Sequence, residues 1–233
     1  MKEMIKEIFD SYNIKLNEVQ LSQFETYLNF LIEENQKYNL TAIIEPKEVI
    51  IKHFIDSVLP EKEIPKNASV IDVGTGAGFP GVPLKILRSD LKLTLLDSLQ
   101  KRINFLNSLL EKLNIKDVVT VHSRAEDYVF QKREKYDISL SRAVASIPTL
   151  AEYLIPYVKV GGFAVMYKGS KVEEEINLGG KAISELGGKI EKVNHYTLSE
   201  VESERNIVFI KKVHPTNKKY PRGKNLPKTK PIL

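Results

Sequence analysis

A glycine-rich run flanked by acidic side chains is the part of the sequence best suited to chemistry. Residues 74–81 contain four glycines, Asp72 stands just before them, and Asp97 ends the next apolar run. Glycine lets a backbone turn tightly and approach a ligand, because it has no Cβ atom. A carboxylate at the end of the following strand can accept hydrogen bonds from both hydroxyls of a ribose. This pattern predicts a site for a cofactor that contains a nucleoside.

Two cofactors fit the glycine-rich run. Gly76, Gly78 and Gly81 have the G-x-G-x-x-G spacing of dinucleotide sites, and Asp97 follows at the distance expected for NAD. The order D-x-G-x-G-x-G is instead typical of S-adenosylmethionine sites, where the acid at Asp72 helps to hold the amino-acid end of the cofactor. A carboxylate there would repel a pyrophosphate. The run therefore favours a methyltransferase and leaves an NAD-dependent oxidoreductase as the alternative.

The residue types of the chain also limit the methyl acceptor. Methylation of a pyrimidine carbon needs a cysteine that adds to the ring, and the chain has none. Exocyclic amines commonly need Asn or Asp, two prolines and an aromatic residue after the fourth strand, where residues 141–146 read Ser-Arg-Ala-Val-Ala-Ser. A ring nitrogen such as guanine N7 already has a lone pair and needs positioning rather than a general base. Arg142 can bond the O6 and N7 edge of guanine, or contact the cofactor or a phosphate.

The spacing of apolar residues predicts the elements that position these groups. From residue 69 onward, β-branched or leucine-rich runs alternate with helical stretches, which predicts a doubly wound, mostly parallel α/β sheet. The glycine-rich run and Asp97 then lie at the carboxyl edge of the sheet, where such folds bind ligands. The seven predicted strands are residues 69–73, 91–97, 118–122, 136–141, 161–168, 189–198 and 205–212, with the last two as an antiparallel hairpin.

Residues before the sheet have helical periodicity. Leu21, Phe24, Leu28 and Leu31 recur at three- and four-residue steps, which places them on one face of an amphipathic helix, and Pro46 starts a shorter helix. These helices form a predicted helical cap, residues 1–66. The sheet domain is predicted at residues 67–213 and a basic tail at residues 214–233.

The helix after the second strand has the clearest pattern. Ser98 is its predicted N-cap, and Lys101 and Arg102 point to solvent or a ligand. The predicted buried stripe is Leu99, Ile103, Leu106, Leu110 and Leu113.

Charge and composition restrict the setting in which the protein works. Residues 211–233 carry eight of the 35 basic residues and no acid, which is typical of a solvated terminus and also suits a phosphate backbone. The four histidines lack the spacing of metal ligands, so no metal is expected. Because the chain has neither an apolar run of about 20 residues nor an apolar leader, we expect a cytoplasmic protein without a membrane segment.

Beyond these patterns, the sequence resembles the RsmG family, also called glucose-inhibited division protein B, which are methyltransferases of small-subunit ribosomal RNA. The resemblance extends over almost the whole chain. The matching pieces are residues 39–41, 53–57, 72–81, 96–98, 101–102, 124–126, 141–143, 168–169, 220–222 and 226–227.

The resemblance implies a Rossmann-like class I methyltransferase with an N-terminal helical extension. It implies methyl transfer from S-adenosylmethionine to N7 of one guanine in 16S ribosomal RNA. We expect a monomer that acts on the RNA or on the small ribosomal subunit. The family's cofactor contacts fall on Gly74, Phe79, Ala125, Glu126 and Arg142, alongside Asp72, Gly76, Gly78 and Asp97 from the pattern. The candidate RNA-binding residues are Lys101, Arg102, Arg124, Lys168, Arg205 and Arg222. A non-catalytic RNA-binding assembly factor remains a further alternative.

Overall fold

A computed structural model describes residues 1–142 and 145–233 of the chain. Ala143, the last residue of the motif at 141–143, lies outside the described residues. The fold is built on a seven-stranded sheet with the order β3-β2-β1-β4-β5-β7-β6. The strands are β1 Ser69–Val73, β2 Lys92–Asp97, β3 Val118–His122, β4 Tyr136–Arg142, β5 Val158–Lys168, β6 Gly188–Leu198 and β7 Ser203–Lys212.

The strand directions confirm the predicted doubly wound architecture. Strands β1 to β5 pair in parallel, whereas β7 is antiparallel to both β5 and β6. The neighbouring strands β1 and β4 mark the point where the strand order reverses: β2 and β3 are added on one side of β1, and β4 and β5 on the other. The carboxyl ends of these strands are therefore the expected ligand-binding position.

Helices cover the sheet and precede it. A π-helical segment, Ile50–Ile55, joins α3 to α4, and 3₁₀ turns lie at Glu61–Glu63, Ile155–Tyr157 and Ser199–Val201. The helices are α1 Lys2–Ser11, α2 Glu18–Tyr38, α3 Pro46–Val49, α4 Asp56–Val58, α5 Gly81–Leu87, α6 Gln100–Lys112, α7 Ala125–Lys132, α8 Ile147–Leu154, α9 Val172–Glu185 and α10 Leu226–Thr229. None of these helices within the described residues has the length and apolar composition to cross a bilayer.

Helix α2 forms as its sequence predicts. Asn17 and Gln20 make a reciprocal capping box at its start, and Asn39 ends it in the left-handed conformation. Its predicted stripe, Leu21, Phe24, Leu28 and Leu31, is buried. Helix α2 packs against α5 and α6, which fixes the cap on the domain.

The prediction for the start of α6 was wrong by one residue. Leu99 is the N-cap residue and makes no side-chain capping bond, while the Asp97 carboxylate accepts the Leu99 amide at 3.0 Å. Leu99 is 43% exposed and lies outside the buried stripe, whose other four predicted members are buried. Ser98 does not cap the helix because it lies one residue before the N-cap position, whose amide is bound by the adjacent Asp97 carboxylate.

Both faces of the sheet are covered, and inward positions alternate between two apolar cores. In β1, Val70 belongs to the core that contains residues of α2, α5 and α6, whereas Ile71 belongs to the core that contains residues of α8 and α9. The first core also contains Ile5, Phe24 and Phe54 from the helical cap. Cap and sheet therefore share one core, and the division into three domains remains a prediction.

Candidate functional site

The turn after β1, residues 74–81, is held from behind by Asp72. This carboxylate is fully buried, and its Oδ2 accepts the Thr75 hydroxyl and the Gly81 amide, each at 2.8 Å. Burial raises the pKa of Asp72 to about 7, against the lowering effect of those two donors. The first amide of α5 is therefore already hydrogen-bonded to Asp72. In a dinucleotide site this amide would face the pyrophosphate.

Three glycines of the turn, Gly74, Gly76 and Gly78, adopt conformations that residues with an L side chain rarely take. Gly76 has φ +61° and donates its amide to Asp97 at 2.9 Å. Gly78 has φ +102°, and a Cβ atom there would lie 2.7 Å from the hydroxyl of Tyr27, which itself donates to the Ala77 carbonyl at 2.6 Å. The turn thus needs glycine for conformation at Gly76 and for both conformation and space at Gly78.

Asp97, at the end of β2, gathers three donors around one carboxylate. Besides the Gly76 and Leu99 amides, Arg102 Nη1 lies 3.1 Å from Oδ2. The side chain is 2% exposed. Asp97, the residue predicted to bind the ribose hydroxyls, is therefore fixed in place and lies at the centre of the candidate site.

Two neighbouring cavities open at this edge, one of about 690 Å³ and one of about 400 Å³. Gly74, Asp97 and Ser98 line both, so the two form one cleft divided at Asp97. The larger cavity is bounded by the turn, Phe79, Arg142 and the cap, and the smaller by the start of α7.

An aromatic stack forms one wall of the larger cavity. The Phe79 ring lies between Tyr27, at a centroid distance of 5.3 Å, and His53, at 4.6 Å. The Arg142 guanidinium lies 5.0 Å from the centre of the same ring. Burial, and then the nearby Arg142, lowers the pKa of His53 to about 3. His53 is therefore a neutral group at physiological pH.

Arg142, at the end of β4, binds the helical cap. Its Nη1 donates to Asp56 at 2.7 Å and to the carbonyls of Lys52 and His53 at 3.2 and 3.3 Å. Arg205 forms a salt bridge with the other oxygen of the same carboxylate, with Nε 3.1 Å from Asp56 Oδ1. The fork geometry of arginine thus ties the sheet edge to the cap.

The candidate RNA-binding cations at the larger cavity are paired with carboxylates. Arg102 contacts Asp97, and Arg205 contacts Asp56. Lys168 lies 2.6 Å from Glu175 and also donates to the Ala145 carbonyl at 2.8 Å. These pairs hold the cationic side chains at the cleft in fixed orientations.

The smaller cavity contains the residues predicted after the third strand. Ala125 and Glu126 begin α7, and Glu126 is 8% exposed with its side chain at the cavity. The Ala125 carbonyl accepts the Tyr157 hydroxyl at 2.6 Å, which fixes the start of the helix. Arg124 is the N-cap residue and lies on the rim.

Two candidate RNA-binding residues do not line either cavity. Lys101 is exposed and donates to the Tyr38 carbonyl at 2.9 Å. Arg222 is bound to Glu152 on α8 and lines neither cavity. Within residues 1–142 and 145–233, no cluster of three His, Asp or Glu side chains is placed to hold a metal ion.

Sequence reasoning assigned no role to Tyr27, Thr41, His53 or Asp56. Thr41 Oγ1 lies 2.8 Å from His53 Nε2, so it fixes the imidazole from the side opposite Arg142. The family motifs at 39–41 and 53–57 were the available signal, because they include three of the four residues.

The geometry of the cleft fits S-adenosylmethionine better than a dinucleotide. The Asp97 carboxylate lies between the two cavities, Glu126 lies at one end, and the Phe79 wall lies at the other. The first amide of α5 is already bonded to Asp72, so it is not free to bind a pyrophosphate.

Comparison with known proteins agrees with this geometry. A family model described as rRNA small subunit methyltransferase G matches residues 20–208, which is most of the chain. The chain belongs to this family. Membership confirms the family suggested by the sequence motifs.

Relatives of this family align over almost their full length. A Ribosomal RNA small subunit methyltransferase G of Clostridium botulinum (strain Loch Maree / Type A3) is 50% identical over 224 residues, 94% of each chain. The protein of the same name from Desulforamulus reducens is 47% identical over 232 residues, 98% of this chain and 97% of its own.

A solved structure supports the fold alone. A SAM dependent methyltransferase from Aquifex aeolicus superposes with a TM-score of 0.52 at 18% identity, covering 70% of this chain and 92% of its own. Together with the strand order, this confirms the predicted Rossmann-like methyltransferase fold.

Proposed function

We propose that the chain transfers a methyl group from S-adenosylmethionine to N7 of a guanine in 16S ribosomal RNA. The observation that carries the proposal is the cleft centred on Asp97 in a member of the rRNA small subunit methyltransferase G family. The smaller cavity takes the adenine end of the cofactor, and the larger takes its amino-acid end together with the guanine. The enzyme works as a monomer in the cytoplasm on the RNA or the small subunit.

The cofactor supplies an electrophilic methyl group: the N7 lone pair forms the new C–N bond as the C–S bond breaks, leaving S-adenosylhomocysteine. The chain's residues orient the reactants. Asp97 accepts hydrogen bonds from the ribose hydroxyls, and Phe79 packs against the cofactor. Arg142 is preorganised by Asp56 and by carbonyls of the cap, so it can direct the guanine edge without moving. Because N7 loses no proton, the site needs no base, and His53, whose burial lowers its pKa to about 3, would be a weak one.

Cofactor binding at Asp97 is tested by calorimetry with S-adenosylhomocysteine. Asp97→Asn should weaken binding about tenfold or more, because hydrogen bonds to a charged acceptor are worth about 1.5–3 kcal/mol. Asp127→Asn is the matched control, since Asp127 is an exposed carboxylate on α7 away from both cavities. Equal affinity of the Asp97 variant and the wild type would contradict this role.

The reaction is tested by incubating purified protein, S-adenosylmethionine with a labelled methyl group, and either 16S RNA or small subunits. We expect one 7-methylguanine in the product, mapped by cleavage at the methylated base. Binding of RNA without methyl transfer would identify an assembly factor. Binding of NAD in place of S-adenosylhomocysteine would identify an oxidoreductase.

A further inference from the structure

The basic tail, residues 214–233, is fixed to α8 by an ion pair between the partly exposed Arg222 and a buried carboxylate, that of Glu152. Glu152 is fully buried, and its Oε2 accepts a hydrogen bond from Arg222 Nη2 at 2.8 Å. The Arg222 backbone amide donates to the same carboxylate at 2.6 Å, and Thr149 donates to the Pro227 carbonyl at 2.9 Å. Separating a buried charge from its partner is costly, so these bonds hold the tail as an ordered part of the fold.

The fixed tail reaches the smaller cavity through Asn225. Asn225 lines this cavity together with Asp97, Glu126 and Tyr153. Tyr153 directly follows Glu152 on α8, so the anchor of the tail and the wall of the cavity are adjacent. An asparagine side chain offers both donors and an acceptor to a ligand in that cavity.

We propose that the basic tail forms a wall of the adenosine subsite, with Asn225 in contact with the nucleoside end of S-adenosylmethionine. The inference rests on the proposed function, because it takes the smaller cavity as the adenine end. The family match covers residues 20–208 and so ends before the tail. The tail thereby acts in cofactor binding, beyond any contact that its lysines make with RNA.

The test substitutes Asn225 by glycine in the full chain. Asn225 has φ +59°, so Asn225→Gly removes the side chain without backbone strain. Lys224→Gly is the matched control, because Lys224 is exposed, has φ +55° and does not line the cavity. The variants are compared by calorimetry with S-adenosylhomocysteine and with 5′-methylthioadenosine, which lacks the amino-acid end.

Asn225→Gly should weaken binding of both ligands by the same factor, about threefold to tenfold, as expected for loss of one hydrogen bond. Lys224→Gly should leave both affinities unchanged. Unchanged affinities in Asn225→Gly, or an equal loss in Lys224→Gly, would overturn the inference. Failure of the wild type to bind S-adenosylhomocysteine at all would instead reject the proposed function.

Protection of the tail from trypsin by the ligand gives a second test, which does not depend on the Asn225 side chain. If the tail closes over the nucleoside, S-adenosylhomocysteine must slow trypsin cleavage after Arg222 and Lys224, because coupling between two sites is reciprocal. Arg222→Gln, which breaks the anchor, should raise cleavage after Lys224 and reduce protection by the ligand. Cleavage at the same rate with and without saturating ligand would count against the tail as a wall.

Discussion

At the level of single residues, the site is a set of buried polar groups that hold one another. Arg142 is bonded to Asp56 and to cap carbonyls, and His53 lies between Thr41 and Arg142. Such groups are costly to bury unless they are paired, so each fixes the position of the next. The functional surface is therefore set by contacts that lie behind it.

His53 gives the folded state a dependence on pH. Its pKa is about 3 in the folded state against the ordinary histidine value of 6.5, so the unfolded chain binds an extra proton between these pH values. The stabilisation is complete above pH 6.5 and is lost as the pH falls through that window. The stability advantage of wild type over His53→Asn should shrink by about 2 kcal/mol between pH 6.5 and about pH 5, measured by urea unfolding.

Asp72 supplies the internal control for that measurement. Its pKa of about 7 lies above its ordinary 3.8, so the folded state holds the extra proton and stability falls as the pH rises between these values. Asp72→Asn should therefore remove a slope of the opposite sign. A pH-independent difference between wild type and His53→Asn would show that His53 does not titrate as inferred.

Sequence reasoning found the residues that are close together along the chain, but not those brought together by the fold. The turn at 72–81 and Asp97 were identified because strand ends and glycine spacing are local patterns. Tyr27 and Asp56 act through contacts with Ala77 and Arg142, which are 50 and 86 positions away. No local pattern specifies such pairs.

At the level of elements, strands were predicted more accurately than helix ends. Parallel strands are buried on both faces, so each appears as a short apolar run, and the predicted limits lie within three residues of the observed ones. The start of α6 was misplaced because the Asp97 carboxylate binds the Leu99 amide, a contact that depends on the turn after β2.

Two adjacent glycines in α9 should respond in opposite ways to alanine. A Cβ on Gly179 would lie 2.5 Å from Ile147 on α8, whereas a Cβ on Gly180 would meet nothing within 4 Å. Gly180→Ala should raise the free energy of unfolding by about 0.5–1 kcal/mol through better helix propensity. Gly179→Ala should lower it by about 1–3 kcal/mol through overpacking.

Chemical denaturation of the two variants checks this contrast, and each variant serves as the control for the other. A rise in the free energy of unfolding in both variants would mean that α8 and α9 pack less closely than the structure indicates, and a fall in Gly180→Ala would contradict the open position of Gly180.

At the level of the whole molecule, the shared core predicts that the cap and the sheet unfold together. Phe24 is fully buried and packs on Phe9 and Phe54, at centroid distances of 4.7 and 5.0 Å. Phe24→Ala should cost about 3–5 kcal/mol, and hydrogen exchange should show the same loss of protection in β1 and β4 as in α2.

Val19→Ala is the control for this experiment, because Val19 lies on the same helix but is 66% exposed. It should leave exchange in the sheet unchanged. Normal protection of β1 in Phe24→Ala would mean that the cap unfolds as a separate unit.

The cleft draws on residues from nearly the whole length of the chain. Tyr27 supports the glycine turn from the cap, and Asn225 lines the cleft from the basic tail. During translation, a nascent chain thus lacks a complete cleft until residue 225 has left the ribosome. A copy that still lacks residue 225 is therefore without one wall of the smaller cavity while it is being synthesised.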